Sequence, residues 1–352
     1  MFRCVALCLA LAAGELTCAV LFRGRLHHYE VTRRRMLGLE RRGPPRAVGQ
    51  PYLLYIPAPG YVEPSGIHHS PDGYRGETVP RERSPGVARV VCLGGSTTYG
   101  WSVKDDGQTY PAWLQRVLAE DLPAGLRGVE VINAGLPAGT TAELLTHFHF
   151  KWRYYAPDVV VINTGGNDAY AVAVPHYSPD YSHYRRLPSA PEALAGPGRV
   201  VARSRLGALL LISLFTGVDL GSDEITQPRR PLAPWYTPPA GGIAAVPDAE
   251  YAFAVNLRTL AREIAGTGAR VVLVPFRERP GSRAESDPIQ PLLARNEAVL
   301  SDVAQEPGCA LAPFPASTIP DEQWADWCHL RAEGCRAKAQ LVAPQVRAAL
   351  AR

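Results

Sequence analysis

Five short runs rich in Val, Ile and Leu recur along the chain with helical patterns between them, and this alternation constrains the fold more than any other feature. The runs cover residues 89–93, 129–133, 158–163, 270–276 and 310–314. Their continuous apolar character suits strands buried on both faces, not the alternating pattern of a sheet with one wet side. Helical patterns lie over 110–120, 141–155, 251–265 and 291–304, and 333–350 closes the chain. Strands separated by helices in this way predict a doubly wound, five-stranded parallel sheet with right-handed crossovers, flavodoxin-like in its three α/β/α layers.

Three stretches depart from the alternation. Residues 4–22 run almost unbroken through Ala, Leu, Val and Cys. As a helix they extend about 28 Å, close to the hydrocarbon thickness of a bilayer. An uncleaved anchor within residues 1–24 is the expectation. No clean small-x-small cleavage site stands out, and Cys8 and Cys18 follow Leu7 and Thr17, where a lipoprotein signal places a small residue. A cleaved signal and a buried helix are the alternatives. The expected body is extracytoplasmic, periplasmic or at the cell surface, but the orientation signals conflict. Arg23, Arg25 and Arg33 to Arg35 follow the apolar stretch, and the positive-inside rule would keep the body cytoplasmic. The same arginines suit anionic headgroups.

Residues 25–84, rich in Pro, Gly and Tyr towards their end, predict a linker and wrapping arm, and 85–352 form the main domain. Within that domain residues 171–248 interrupt the alternation for longer than an idle loop requires. Their one apolar stretch, 206–215, reads as a helix packed on the core, with a lid, a partner face and a membrane-touching helix as alternatives.

Charge excludes one class of partner. Residues 1–50 hold nine Arg against Glu15, Glu30 and Glu40, so the formal +4 of the whole chain leaves the remaining residues at −2. Such a body carries no footprint for a phosphate backbone, and no nucleic-acid partner is expected. The seven cysteines contain no C-x-x-C pair and no metal-ligand spacing. A bridge among Cys309, Cys328 and Cys335 is left open by their spacing.

Reactive groups in an open parallel sheet belong at the carboxyl ends of the strands. Four segments place unusual residues at or near such ends. Gly94-Gly95-Ser96-Thr97 follows the first run, Asn133-Ala134-Gly135 the second, and Gly165-Gly166-Asn167-Asp168 the third, while Asp326-Trp327-Cys328-His329 precedes the last helix. A serine hydroxyl needs a base within hydrogen-bond reach, which His329 supplies, and Asp326 three residues earlier can fix its tautomer. Competing motifs fail. Trp101 stands where a phosphate-binding loop needs Lys, and Gly266-Thr267-Gly268 precedes a strand instead of opening a helix. His147 and His149 are two apart on a helix and do not share a face, while His68-His69 and His27-His28 are isolated pairs. No serine lies in Gly-x-Ser-x-Gly, which excludes the elbow of α/β-hydrolases. Neither a metal nor a cofactor is called for.

These four ordered blocks resemble those of the SGNH (GDSL-type) hydrolases, over roughly residues 85–352, and the anchor and arm resemble those of larger membrane-attached bacterial members. The first block departs from the usual Gly-Asp-Ser-Leu, having Gly95 before Ser96 and Thr97 after it. The resemblance implies Ser96, Asp326 and His329 as catalytic residues and an oxyanion hole of the Ser96 amide, the Gly135 amide and the Asn167 side chain. It implies a serine esterase acting on a small-molecule, glycan or lipid acyl ester, with an envelope O-acetyl glycan foremost. An O-acyltransferase using the same site and a catalytically silent module of the same fold are the alternatives.

Overall fold

A computed structural model describes residues 2–24, 29–30, 33–34, 37, 46–185, 196–215, 236–237, 239–284 and 286–351. Two compact units emerge, one from residues 1–45 with 184–232 and the other from 46–183 with 233–352.

The larger unit holds the expected sheet. Strands β3 (Val87–Gly94), β4 (Gly128–Gly135), β5 (Val159–Thr164), β6 (Arg270–Pro275) and β7 (Cys309–Leu311) are all parallel, in the order β4-β3-β5-β6-β7. Both faces are dry. Val90, Cys92, Val161, Val272 and Val274 pack into one core cluster with Leu114, Leu118, Ala339, Val342 and Val346, while Val91, Leu93, Val160, Ile162 and Leu273, pointing to the opposite face, are equally buried. Helices Tyr110–Ala119 and Ala332–Leu350 pair with each other over the first face, and Thr141–Phe150 pairs with Ala252–Gly266, which also meets β6.

Local rules account for these elements. Tyr110–Ala119 opens after Thr109 with a proline in its first turn and buries Tyr110, Leu114 and Leu118, one side chain per turn on one stripe. Thr141–Phe150 opens with a capping box between Thr140 and Glu143. Its expected continuation to residue 155 is instead a separate 3-10 turn, Trp152–Tyr155. The last strand falls three residues short of its expected end, because Ala312 and Phe314 are buried by the loop that leaves the sheet.

Two features outside the sheet add to what the sequence suggested. From Arg46 onward the arm belongs to the larger unit, and it contains an antiparallel hairpin, β1 (Ala47–Gln50) with β2 (Leu54–Pro57). The pairing exists because Leu54 takes a left-handed conformation at φ 60°, which the residue type does not advertise. The candidate bridge is absent as well, since Cys309, Cys328 and Cys335 are free thiols.

In the smaller unit Phe2–Arg23 forms one helix. Among the described residues no helix is long and apolar enough to cross a membrane, so the spanning anchor is not supported. Glu15 divides the apolar stretch, and its carboxylate accepts hydrogen bonds from Ser204 Oγ at 2.8 Å and from the Arg205 and Leu206 amides at 2.9 and 3.0 Å. It thereby satisfies first-turn amides of helix Arg205–Phe215, the apolar element of the 171–248 stretch. Residues 186–195, 216–235 and 238 of that stretch, and His27-His28, lie outside the described residues.

Candidate active site

The strand order reverses direction between β3 and β5, and a reversal of this kind opens a crevice at the carboxyl ends of the two strands. Ser96 follows β3 and Asn167 follows β5, so the order of strands alone brings the first and third blocks to one crevice.

At the end of β3, Gly95 serves as N-cap of the short helix Ser96–Tyr99, which Gly100 ends at φ 84°. A first-turn amide such as that of Ser96 has no acceptor within its own helix. Across the crevice, Asp326 Oδ1 accepts from the Cys328 and His329 amides at 2.9 and 2.8 Å, and Ala325 N–H donates to His329 O at 2.8 Å. This local turn aims the His329 ring inward. Its Nδ1 lies 2.7 Å from Asp326 Oδ2 and its Nε2 lies 2.8 Å from Ser96 Oγ. Burial pushes the Asp326 carboxyl up, but the Cys328 and His329 amides and the His329 ring outweigh it and hold the group below the ordinary carboxylate range. An ionised Asp326 keeps the Nδ1 proton on its side of the ring and leaves Nε2 free to accept the serine proton.

Asn167 Nδ2 donates to Gly139 O at 2.8 Å. Three features hold it there. Gly165 takes φ 116°, which favours glycine, and its carbonyl accepts from Asn296 Nδ2 at 2.7 Å. A Cβ on Gly166 would lie 2.7 Å from the Phe276 ring. Asp168 reaches the start of helix Thr141–Phe150, accepting from Thr141 Oγ1 at 2.6 Å, from the Thr141 amide at 3.1 Å and from Tyr181 OH at 2.8 Å. Burial pushes Asp168 up to about 6, against the pull of those donors.

Ser96, Asn167, Asp326 and His329 therefore converge, and Gly135 does not join them. Its amide donates to Asn133 Oδ1 at 3.1 Å, and a Cβ there would run into the backbone of Thr98 and Tyr99, 2.7 Å from Thr98 C. Gly135 lets the end of β4 abut the helix that carries Ser96. The glycine that lines the crevice is Gly139, four residues later, at the close of a Leu136-Pro137-Ala138-Gly139 turn in which Gly139 N–H donates to Leu136 O at 2.8 Å. The departure in the first block also has a structural reason. A Cβ on Gly95 would stand 2.6 Å from Asn167 Nδ2, so a larger residue before Ser96 would displace that amide.

The crevice encloses about 60 Å³ among Ser96, Asn163, Gly165, Asn167, Phe276 and Trp327, with Cys328 and His329 on its wall. Sequence reasoning missed Gly139, Asn163 and Phe276 as neighbours of the site, and it gave no role to Thr97, Trp327 and Cys328 although they stand in its blocks. The capping box at Thr140 and Glu143 was the available signal that the chain turns there at Gly139. Among the described residues Asp326, Cys328 and His329 are the one group whose ligand atoms gather within 4.8 Å. Both ring nitrogens of His329 are taken by Asp326 and Ser96, and Cys328 Sγ lies 3.6 and 3.9 Å from the two of them, favouring neither. Burial pushes the Cys328 thiol up, which keeps it protonated. The donor set is that of a hydrogen-bonded relay and not of a metal cage. Three other histidines have structural partners: His147 sits 3.0 Å from Leu53 O, His149 pairs with Glu263, and His69 bridges Ala58 O and Tyr99 OH.

No curated protein matches the chain. Among solved structures, a lipase/acylhydrolase from Enterococcus faecalis is 19% identical with TM-score 0.44, covering 74% of this chain and 96% of that one. An acetyl xylan esterase from Geobacillus stearothermophilus is 15% identical with TM-score 0.43, covering 75% and 94% respectively. The model of the GDSL-like lipase/acylhydrolase family matches residues 92–337, which span β3 to the last helix and every converging residue above. The chain belongs to that family and is a hydrolase of its type.

Proposed function

We propose that the protein is a serine esterase that releases short acyl groups, acetyl foremost, from an alcohol through an acyl-Ser96 intermediate. The observation that carries this reading is the unbroken relay from Asp326 Oδ2 through His329 to Ser96 Oγ, at 2.7 and 2.8 Å, opening on the crevice. His329 Nε2 takes the hydroxyl proton as Ser96 Oγ attacks the ester carbonyl. The Ser96 amide and the remaining hydrogen of Asn167 Nδ2 meet the oxygen that gains the negative charge. Collapse expels the alcohol, protonated by His329, and water then attacks the acyl-serine with His329 as base. Gly135, once expected as a third donor, has its amide committed to Asn133 and takes no part.

Cavity size supports a short acyl group. About 60 Å³ is under half of the roughly 150 Å³ that admits a benzene ring in an apolar protein cavity. At its rim Trp327 is 38% exposed, with the Tyr170 and Phe276 rings edge-on to it at 5.7 and 6.2 Å. An indole held in this way suits a sugar ring as the alcohol part, and an envelope glycan fits a body placed outside the cytoplasm. An alkaline-phosphatase fusion at Arg352 tests that location.

A fluorophosphonate probe tests the chemistry without knowledge of the substrate. An adduct mapped to Ser96 and lost in Ser96→Ala and His329→Ala is expected, and an adduct that survives Ser96→Ala refutes the assigned nucleophile. p-Nitrophenyl esters from acetate to octanoate test the acyl size, with acetate the best. Adding acceptor sugars separates hydrolysis from acyl transfer by the products formed.

A further inference from the structure

Beneath the loop that carries Ser96 lies a buried ammonium that the proposed mechanism does not use. Lys338, on helix Ala332–Leu350, is 1% exposed. Its Nζ donates to Asn163 Oδ1 at 2.6 Å and otherwise faces the Tyr110 and Phe314 rings, at 4.6 and 5.2 Å from their centroids. Among the described residues no carboxylate pairs with it, and the nearest titratable groups acting on it are the Cys92 and Cys335 thiols. An ammonium removed from water with a single neutral acceptor is costly, and a hydrophobic side chain of similar length would serve packing at least as well.

The acceptor it holds is itself fully engaged. Asn163 Nδ2 donates to Val274 O and Pro275 O at 3.1 and 3.2 Å, and Oδ1 also accepts from Thr97 Oγ1 at 2.9 Å. The Lys338 donor leaves that amide one orientation, with its oxygen towards Thr97. Thr97 directly follows Ser96. The helix that carries Lys338 begins three residues after His329, and Asn163 lies in the strand that leads to Asn167. One side chain therefore ties together the supports of the nucleophile, the base and the oxyanion donor.

We propose that Lys338 is a positioning residue for Ser96, clamping Asn163 so that Thr97 holds the nucleophile at its distance from His329. This rests on the esterase reading. The test uses the full chain, comparing wild type, Lys338→Met, Thr97→Val and the double variant by the rate of fluorophosphonate labelling at Ser96, by kcat and KM for p-nitrophenyl acetate, and by thermal unfolding. Displacement of a reacting group by a fraction of an ångström predicts a kcat loss of about tenfold or more in Lys338→Met, with KM within about twofold. Its unfolding temperature should be equal to or above that of wild type, as a purely structural role would not allow. Thr97→Val should lose a similar factor, and the double variant should be no slower than the worse single one, because all three cut the same link. Wild-type kcat in either single variant overturns the proposal, as does multiplication of the two losses. If Lys338→Met does not fold, Thr97→Val decides alone. Failure of wild-type Ser96 to label at all would instead sink the esterase reading.

Discussion

Replacing Gly95 with Ala separates activity from stability in a way that the geometry makes quantitative. The backbone at Gly95, φ −83° and ψ −152°, is extended and outside the left-handed region that favours glycine, so the chief effect of the substitution is one added methyl group. That methyl would stand 2.6 Å from Asn167 Nδ2, whereas ordinary contact begins at 3.4 Å, and the amide must retreat by about 0.8 Å. The same methyl would lie 3.7 Å from Gly139 O, so it presses on the amide from the side of its 2.8 Å bond, and a retreat of that size tilts the bond and lengthens it only to about 3.0 Å while shifting the donor from its place in the crevice. Complete loss of one oxyanion donor costs about 10²–10³ in rate. A displaced donor that can still swing back should cost about 10- to 100-fold. Stability should change by less than about 1 kcal/mol, because the obstacle is the far end of a partly buried side chain and not backbone. The assay is kcat/KM for p-nitrophenyl acetate in wild type, Gly95→Ala, Asn167→Ala and the double variant, with thermal unfolding alongside. Gly95→Ala should be nearly neutral once Asn167 is gone. Wild-type activity in Gly95→Ala, or an equal loss in the Asn167→Ala background, would refute the claim that this glycine exists to admit Asn167.

Three further expectations follow from single contacts. Ala138 occupies the left-handed position of its turn at φ 60°, so Ala138→Gly should stabilise by about 0.5–1 kcal/mol and raise the unfolding temperature by about 1–3 °C, checked by calorimetry. Burial lowers Lys338 from 10.5 to about 8, so between those values the unfolded chain holds a proton that the fold does not. Stability then rises with pH across that window, by at most about 3 kcal/mol, and any advantage of Lys338→Met in urea unfolding at pH 7 should shrink by pH 9.5. Asp326→Asn keeps the shape of its turn but puts an amide where a carboxylate held the Nδ1 proton; kcat should fall on the order of 10⁴, and a loss under tenfold would show that His329 is oriented by something else.

The parts legible in the sequence were those set by local chemistry. Strands buried on both faces must be continuously apolar, so β3, β4, β5 and β6 appear in the sequence within a residue or two of their observed ends. Asp326 and His329 are legible because three residues suffice to fold one carboxylate onto the amides and the ring of the same turn. The hairpin of Ala47–Gln50 with Leu54–Pro57 was not legible, since its turn uses a left-handed Leu54. The apolar segment at 4–22 raised an expectation that the described helices do not support, and the carboxylate within it proves to cap a helix about 190 residues away.

The sequence by itself pointed to a hydrolase of the GDSL-like type, because the four ordered blocks at or near strand ends are those that resemble the family. Tertiary structure alone decided which glycine does what. Gly95, Gly135 and Gly139 are indistinguishable as letters, and their roles differ by what a Cβ would strike or line: the Asn167 amide, the backbone of the nucleophile helix, and the crevice itself. It likewise decided that Lys338, an unremarked residue in the last helix, lies against Asn163 beneath Ser96. Residue type and spacing report what a side chain can do, whereas clearance and burial depend on elements that meet only when the sheet is wound.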